Sequence, residues 1–554
     1  MAFEDWMTGA TPGKWLAACC IVLVYLGFTL YRLGFPDLSP DEGRYGLVAV
    51  NILSDHRQLA VLSEDPLGGP GSKPFAYAVS LASSIVLLGK NEFALRAVSV
   101  VALLGAGSIL FGLVDLCFRD QCLAALSLFF FLLNPWTISY ARTAMPEPIL
   151  VFWGCLGVFA AASFFKSQRL IWAFACGLGL GFAFLTKLWL ALPFAAASSV
   201  FFIAAWASFP TQQTAAGIFI SCLAFLLACA SHLVLVLRWA PADFSHWLQL
   251  YFIESFSSRA GGAGHDPAMW FRPWWFYLAG LFKATFFSLP VAFLAIFALI
   301  RRRQLGLLAV VAAMLSPFLV LSLFVVKQTS YAYPAFPAVA FLLAYGTLTI
   351  IENPSRQVLI VSTLLSVTAA LLFLVLGTIT RAEFVVISGL YLLYMAASFT
   401  TKKYRAASVV AGPVLAAMLA ADILTVRVSL QHRTYYRELA TCLRPLVTAS
   451  APQAVIFQAP EYPSLEFYLF RTGEYWRTYY FHESYGAFLN DLIQGKKAFY
   501  VVDPTGTLYG SKVSPAQLHA LHVYATDETS QVERAMGRKI GLQIFLSSAW
   551  GPRY

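Results

Sequence analysis

The sequence predicts an all-α polytopic membrane domain with about thirteen transmembrane helices, followed by a small α/β extracytoplasmic domain. Of the 554 residues, 59% are apolar and only 12% are charged, about half the charged share of an ordinary soluble domain. The charges are also uneven, because residues 430–554 hold 22 of the 66 Lys, Arg, Asp and Glu side chains. We therefore divide the chain into a transmembrane domain, 1–429, with long external loops at 34–93 and 238–273, and a soluble domain, 430–554.

A helix needs roughly 17 to 25 apolar residues to cross the hydrocarbon core of a bilayer. Thirteen segments of the sequence reach this length, and the continuous run from 170 to 207 leaves a count of twelve or fourteen open. The predicted spans are 15–33, 94–117, 121–138, 149–165, 170–186, 188–207, 215–237, 274–300, 305–326, 334–351, 357–379, 383–400 and 406–428. Residues 74–89 are apolar but short, which favours an interfacial or re-entrant helix.

Lys and Arg in short loops indicate orientation, because the cytoplasmic side of a membrane protein collects an excess of them. One set of short loops holds eleven basic residues, whereas the opposite set holds chiefly Arg142, Lys187, Lys327 and Arg381. This bias predicts a cytoplasmic N-terminus, and thirteen spans then place the tail and both long loops outside. The apolar run from residue 15 lacks a small-residue cleavage pattern, so we interpret it as the first span.

The tail has the pattern of an α/β domain. Residues 454–457 and 498–502 are predicted strands and 539–547 is a further candidate, with helical patterns around 464–470 and 482–494. It has no nucleotide-binding or hydrolase motif, so we expect no nucleotide cofactor. Cys442 is its only cysteine, which excludes a disulfide within it. The net charge of +10 is scattered among apolar spans, so no nucleic-acid partner is predicted.

The first external loop opens with Pro40-Asp41-Glu42-Gly43-Arg44-Tyr45, directly before a helical pattern. Carboxylates stabilise a helix N-terminus, so Asp41 and Glu42 could simply cap an interfacial helix. Alternatively, Asp41 is a general base at the membrane surface. Arg44, three residues later, would then be close enough to orient the acid or contact a phosphate.

Other polar residues fall in loops or at span ends that the predicted topology places outside, namely Lys73, Glu147, Lys187, Lys327 and Tyr331. A single cation at a span end can merely snorkel to the interface. Their shared side is more informative, since acids and cations on one face could bind a phosphate and activate a hydroxyl.

The second long loop contains His265 in a Gly-rich stretch, together with Glu254, Arg259 and Asp266. His265 could be solvated, or it could hold a divalent metal ion. The sequence has no H-E-x-x-H or C-x-x-C spacing that would decide between these two interpretations.

In their order and spacing, these motifs resemble the GT-C class of membrane glycosyltransferases. The resemblance is to the bacterial branch that is related to protein O-mannosyltransferases and includes the lipid A aminoarabinose transferase. The motifs that carry it are Pro40–Tyr45, Lys73-Pro74, Gly89–Arg96, Glu147, Lys187 and the Lys327, Tyr331, Pro334 segment. This chain has Phe75 where the family often has Pro, and Glu147 where it usually has Asp. These two differences leave the class of enzyme unchanged but leave open which sugar and which acceptor it uses.

The resemblance implies transfer of a sugar from an undecaprenyl-phosphate-type carrier to an outer-side acceptor such as lipid A, another envelope glycan or a protein. The enzyme would sit among the lipids of the bacterial inner membrane. Our hypothesis is an inverting displacement in which Asp41 accepts the proton of the acceptor hydroxyl, with Glu42 or Glu147 as a supporting acid. The candidate contacts of the donor phosphate are Arg44, Tyr45, Lys73, Lys187, Lys327 and Tyr331.

Two other function classes fit many spans with polar residues among them. A transporter or flippase for a lipid-linked or small polar substrate is the main alternative. Against it, the two halves of the chain show no evident repeat, and the polar residues collect on one face rather than at mid-depth. A non-catalytic sensor or assembly factor that uses its outer domain to bind a partner is the third reading.

Overall fold

The computed structural model describes most of the membrane body and short pieces of the tail. The described residues are 12–63, 75–249, 273, 275–285, 289–322, 328–352, 368, 371, 421–430, 437, 441, 455–457, 467–468, 500–503, 521–522 and 543–547. Up to residue 352 this part of the chain is helical. Its α-helices are α1 (Pro12–Leu30), α2 (Pro40–Ser54), α3 (Gln58–Val61), α4 (Phe75–Leu88), α5 (Glu92–Phe118), α6 (Gln121–Leu132), α7 (Pro135–Ala141), α8 (Glu147–Ser167), α9 (Leu170–Lys187), α10 (Leu192–Ser208), α11 (Gln212–Trp239), α12 (Phe244–Leu248), α13 (Phe276–Ala284), α14 (Leu289–Arg301), α15 (Leu305–Ser322) and α16 (Phe336–Glu352).

Within the described residues, five helical stretches are long and apolar enough to cross a membrane, or up to six if the bent pair α6 and α7 is one span. The five are 92–118, 147–167, 170–208, 212–239 and 330–349. The protein is therefore a multi-pass membrane protein. The predicted spans 357–379 and 383–400, and most of 406–428, lie outside the described residues.

The stretch 170–208 is a hairpin of two helices. A 3₁₀ turn, Leu188–Ala191, separates α9 from α10. Phe164 of α8 packs in one cluster with both Ala173 and Ala205, two residues that a continuous helix would hold about 48 Å apart. The chain therefore reverses near Lys187, as the separate predicted spans 170–186 and 188–207 require.

The predicted span 121–138 is not one helix. It is divided into α6 and α7, which are bent by 61°, because Pro135 cannot continue the hydrogen-bond ladder of α6. Asn134 caps the new helix, since its side chain accepts the Trp136 N–H at 2.9 Å. The other end of the same amide donates to the Ala284 carbonyl at 2.7 Å.

Small residues let the helices of the body approach closely, as is usual between membrane helices. A Cβ at Gly177 of α9 would overlap the Ser221 carbonyl oxygen of α11, and one at Gly181 would lie 2.5 Å from the Ala228 Cβ. On its other side, α9 packs against Gly157 of α8, where a Cβ would lie 2.9 Å from Leu180 Cδ2. This packing fixes the rotation of α9, and with it the direction of Lys187 at its end.

The tail contains a mixed four-stranded sheet of β1 (Val455–Phe457), β2 (Tyr500–Asp503), β3 (Leu521–His522) and β4 (Gln543–Ser547) in the order β1-β2-β4-β3. β1 pairs with β2 in parallel, with Val455 opposite Tyr500, whereas β4 is antiparallel to β2 and β3. β1 and β2 overlap the two predicted strands 454–457 and 498–502, and β4 lies within the candidate strand 539–547. The predicted helix 482–494 lies outside the described residues, and of 464–470 only 467–468 are described, as helical.

The chain separates into two compact units. The first contains residues 1–33, 74–77 and 96–429. The second contains residues 34–73, 78–95 and 430–554. Most of the segment 34–93 therefore belongs to the same compact unit as the tail.

Candidate active site

Glu147 and Lys187 form a buried ion pair in the first unit. Glu147 begins α8 and Lys187 ends α9, and Lys187 Nζ lies 2.5 Å from Glu147 Oε1. The Glu147 side chain is 0% exposed and the Lys187 side chain 14%. The second oxygen, Oε2, is buried and has no hydrogen-bond partner within the described part of the chain. A buried acceptor in this state is costly unless a further group supplies a donor.

Aromatic side chains surround this pair. Lys187 Nζ lies 5.3 Å from the centre of the buried Tyr331 ring, a cation–π distance. The ring centroids of Tyr140 and Tyr333 lie 4.3 Å apart, with the ring planes tilted by 31°, and both side chains interact electrostatically with Glu147. The structure thus brings together three of the sequence-predicted residues, Glu147, Lys187 and Tyr331.

Arg142, a basic residue in a loop that is predicted to lie outside, has a structural role. Its Nη1 donates to the carbonyls of Phe28, Thr29 and Tyr31 at 2.8–3.1 Å, which are orphan groups at the end of α1. Burial, and next the charge of Arg96, lower the pKa of Arg142 to about 10. It therefore stays protonated at neutral pH, where a cation stabilises a helix C-terminus.

Asp41 and Glu42 take different environments at the start of α2, in the second unit. Glu42 is buried and completes a capping box, because its Oε2 accepts the Ser39 N–H at 2.8 Å and its own N–H donates to Ser39 Oγ at 3.4 Å. Asp41 keeps 59% of its side chain exposed and lies 3.6 Å from Arg44 Nη1. The neighbouring Tyr45 is half-buried. The capped-helix interpretation thus describes the contacts of Glu42, while Asp41 presents its carboxylate to solvent.

A second charged cluster in this unit was not predicted from the sequence. Arg437 of the tail lies 2.8 Å from Glu92 Oε1 and 3.3 Å from Asp37 Oδ1. The guanidinium also lies 5.8 Å from the centre of the Tyr468 ring. Nothing in the local pattern around Arg437 distinguishes it from other tail cations, since its partners are about 400 and 345 residues away in the chain. The sequence contains the acids Asp37 and Glu92 but no signal that would pair them with Arg437.

Three candidate residues, Lys73, Lys327 and His265, lie outside the described residues, as do Glu254, Arg259 and Asp266. Within the described part, no group of three or more His, Cys, Asp or Glu side chains could hold a metal ion. The proposed metal at His265 therefore stays a prediction.

Residues 71–247 match the model of the dolichyl-phosphate-mannose-protein mannosyltransferase family. The chain is 26% identical over 349 residues to undecaprenyl phosphate-alpha-4-amino-4-deoxy-L-arabinose arabinosyl transferase 2 of Proteus mirabilis strain HI4320, covering 60% of this chain and 59% of the relative. It is 28% identical over 355 residues to the corresponding transferase of Shewanella sediminis strain HAW-EB3, covering 61% of each. The alignments thus span about three fifths of the curated relatives.

Solved structures share the fold over a longer range. The crystal structure of ArnT from Cupriavidus metallidurans bound to undecaprenyl phosphate superposes with a TM-score of 0.65 at 14% identity, covering 98% of this chain and 100% of the other. Arabinosyltransferase EmbB from Mycobacterium smegmatis gives a TM-score of 0.51 at 14% identity, covering 76% of this chain and 41% of the other. The resemblance predicted from the motifs is confirmed, and the chain is similar in sequence and in fold to the ArnT type of GT-C membrane glycosyltransferase.

Proposed function

We propose that this protein is a glycosyltransferase that moves a sugar from a polyprenyl monophosphate carrier to an acceptor outside the bacterial inner membrane. The observation that carries the proposal is the buried Glu147–Lys187 pair, whose second carboxylate oxygen has no hydrogen-bond partner in the described part of the chain, on a GT-C-type fold. An undecaprenyl-phosphate-linked aminoarabinose is the proposed donor, as the names of the curated relatives suggest. Lipid A is the first acceptor to test, before other envelope glycans and proteins.

Lys187 is suited to stabilise the leaving phosphate. When the glycosidic C–O bond of the donor breaks, the bond electrons stay on the phosphate oxygen, and a preorganised cation in a water-poor site stabilises that charge strongly. Glu147 and the Tyr331 ring hold the ammonium group in place beforehand. The second oxygen of Glu147, which has no hydrogen-bond partner among the described residues, can accept a hydrogen bond from a hydroxyl or amino group of a substrate.

Asp41 is the proposed general base. A base must be able to receive a proton from the acceptor, and Asp41 presents an exposed carboxylate at the first turn of α2. Glu42 is a weaker candidate, since one of its oxygens already accepts the Ser39 N–H. The acceptor oxygen attacks the anomeric carbon as its proton passes to Asp41, and direct displacement inverts that carbon.

Arg44, Tyr45, Lys73 and Lys327 remain proposed contacts of the donor phosphate. His265 as a metal ligand is also a proposal, and no step of the mechanism depends on it. Elemental analysis of purified protein, with and without a His265→Ala change, would test for a bound divalent ion.

The proposed topology has thirteen spans, a cytoplasmic N-terminus and an α/β tail outside, with the basic short loops as its support. A reporter that is active only outside the cytoplasm, fused after residue 554, should be active. An inactive external reporter would contradict this topology.

The function is tested with purified protein in proteoliposomes, radiolabelled undecaprenyl phosphate-aminoarabinose and lipid A. A transferase moves the label to lipid A, whereas a transporter or flippase moves the donor across the bilayer unchanged. Lys187→Ala should reduce transfer severely. Lys166→Ala is the matched control, because Lys166 is an exposed lysine at the opposite end of α8 from Glu147. Donor movement without transfer would favour the transporter.

A further inference from the structure

Arg437 contacts the segment of chain that precedes α2. Its Nη2 lies 3.1 Å from the Gly34 carbonyl oxygen, 3.3 Å from that of Phe35 and 3.4 Å from that of Pro36. Its backbone N–H donates to Asp37 Oδ2 at 3.4 Å, and its Nε lies 3.3 Å from the other oxygen of the same carboxylate. Four consecutive residues are thus held by a single tail residue through the fork geometry that arginine provides.

Tyr468 holds the next residue of this segment. Its hydroxyl oxygen accepts the Leu38 N–H at 2.8 Å, and the side chain is fully buried. Burial, and next the carboxylates of Glu92 and Asp37, raise the pKa of Tyr468 well above its ordinary value. The hydroxyl therefore stays neutral at physiological pH.

Phe467, next to Tyr468, packs against the body of α2. A Cβ at Gly46 would lie 2.8 Å from Phe467 Cδ2, so the helix backbone and the ring are in direct contact. Residues 34–38 lead directly to Ser39, the N-cap of α2, and Asp41 follows two residues later. The tail thus contacts both the segment before the first turn of α2 and the second turn of that helix. All these residues belong to the same compact unit.

We propose that Arg437 and Tyr468 are positioning residues that hold the first turn of α2, and through it the Asp41 carboxylate, in its reactive position. The inference rests on the proposed role of Asp41 as the base. It gives the tail a part in the reaction beyond that of an appended domain. A displacement of about 1 Å of a catalytic group can reduce a rate by as much as 100-fold, so loss of one such contact should be measurable in turnover.

The main variant is Tyr468→Phe, which removes the acceptor of the Leu38 N–H and keeps the ring. We expect kcat for transfer from undecaprenyl phosphate-aminoarabinose to lipid A to fall by about tenfold, with the donor KM within twofold of wild type. Arg437→Lys should act in the same direction, because an ammonium group cannot reach the carboxylates and the three carbonyls together. Thr441→Ala is the matched control, since the exposed Thr441 side chain donates to the Arg437 carbonyl within the tail.

Amide hydrogen exchange on the full-length protein without substrate checks the cause. In Tyr468→Phe, faster exchange should be confined to residues around 34–46. Exchange that rises equally throughout the protein would mean general destabilisation and would overturn the proposal.

A double-mutant cycle with Asp41→Asn gives the decisive comparison. If Tyr468 acts through Asp41, adding Tyr468→Phe to Asp41→Asn should cost no further activity. An equal fold loss in both backgrounds, or an unchanged kcat in Tyr468→Phe alone, overturns the positioning role. Full activity of Asp41→Asn by itself would show instead that Asp41 is not the base. Because this measurement uses no variant of the tail, it tests the proposed base separately from the positioning role.

Discussion

The two compact units each contain a Pro-acid pair at the start of a helix, and the two acids end in opposite environments. Pro40-Asp41 begins α2 and Pro146-Glu147 begins α8. Glu147 is fully buried beside a lysine from another helix, whereas Asp41 is more than half exposed beside an arginine of its own helix. The same sequence signal therefore precedes one carboxylate that is buried in an ion pair, Glu147, and one that is exposed to solvent, Asp41.

This difference in burial decides how much each ion pair contributes to the stability of the protein. An exposed pair one helical turn apart adds little stability, about 0–1 kcal/mol, so Asp41 can be changed at small structural cost. A buried pair is different, because removing one partner leaves an uncompensated charge and typically costs about 3–5 kcal/mol. Changes at Glu147 or Lys187 therefore affect folding and chemistry together, whereas changes at Asp41 should affect chemistry alone.

The largest effect is expected for Asp41→Asn. The change preserves the shape of the side chain but removes the base, so transfer should fall by about 10²- to 10⁴-fold, with the melting temperature almost unchanged. Turnover of labelled donor and thermal unfolding in detergent measure the two quantities. Near-normal turnover would move the role of base to Glu42 or Glu147.

The next effect concerns the stability of the first unit. Lys187→Met should destabilise the protein by about 3–5 kcal/mol, because the Glu147 carboxylate would remain buried without its partner. The double change Lys187→Met with Glu147→Leu should recover most of this loss while transfer stays low. Thermal unfolding of the two variants in the same detergent provides the comparison. If the single variant is as stable as wild type, Glu147 is not the buried, charged partner described above.

The smallest effect distinguishes a capping role from a catalytic one at Glu42. Glu42→Gln retains an oxygen that can accept the Ser39 N–H, so we expect near-normal stability and activity. Glu42→Ala removes that acceptor and should cost about 1 kcal/mol of stability. A loss of transfer in Glu42→Gln as large as that in Asp41→Asn would assign Glu42 to the reaction instead.

The sequence predicted most of the described helices of the body because apolar length is sufficient to specify a membrane span. It did not predict the bend within 121–138, although the Asn134-Pro135 pair was a visible signal for a break. It also predicted that Glu147, Lys187 and Tyr331 fall on one side. Loop charges supply that information without any knowledge of packing.

Which groups touch was decided only by the tertiary structure. Lys187 meets Glu147 because small residues set the depth and rotation of α9 against its neighbours, and no local pattern encodes that angle. Arg437 meets Asp37 and Glu92 only when the tail has folded with the segment 34–93. The sequence by itself determined the membrane body, the strands of the tail and the available ionisable groups, since these depend on composition and short-range periodicity. The ion pairs and the contacts of the tail with α2 depend on long-range packing, which joins residues that are 40 to 430 positions apart.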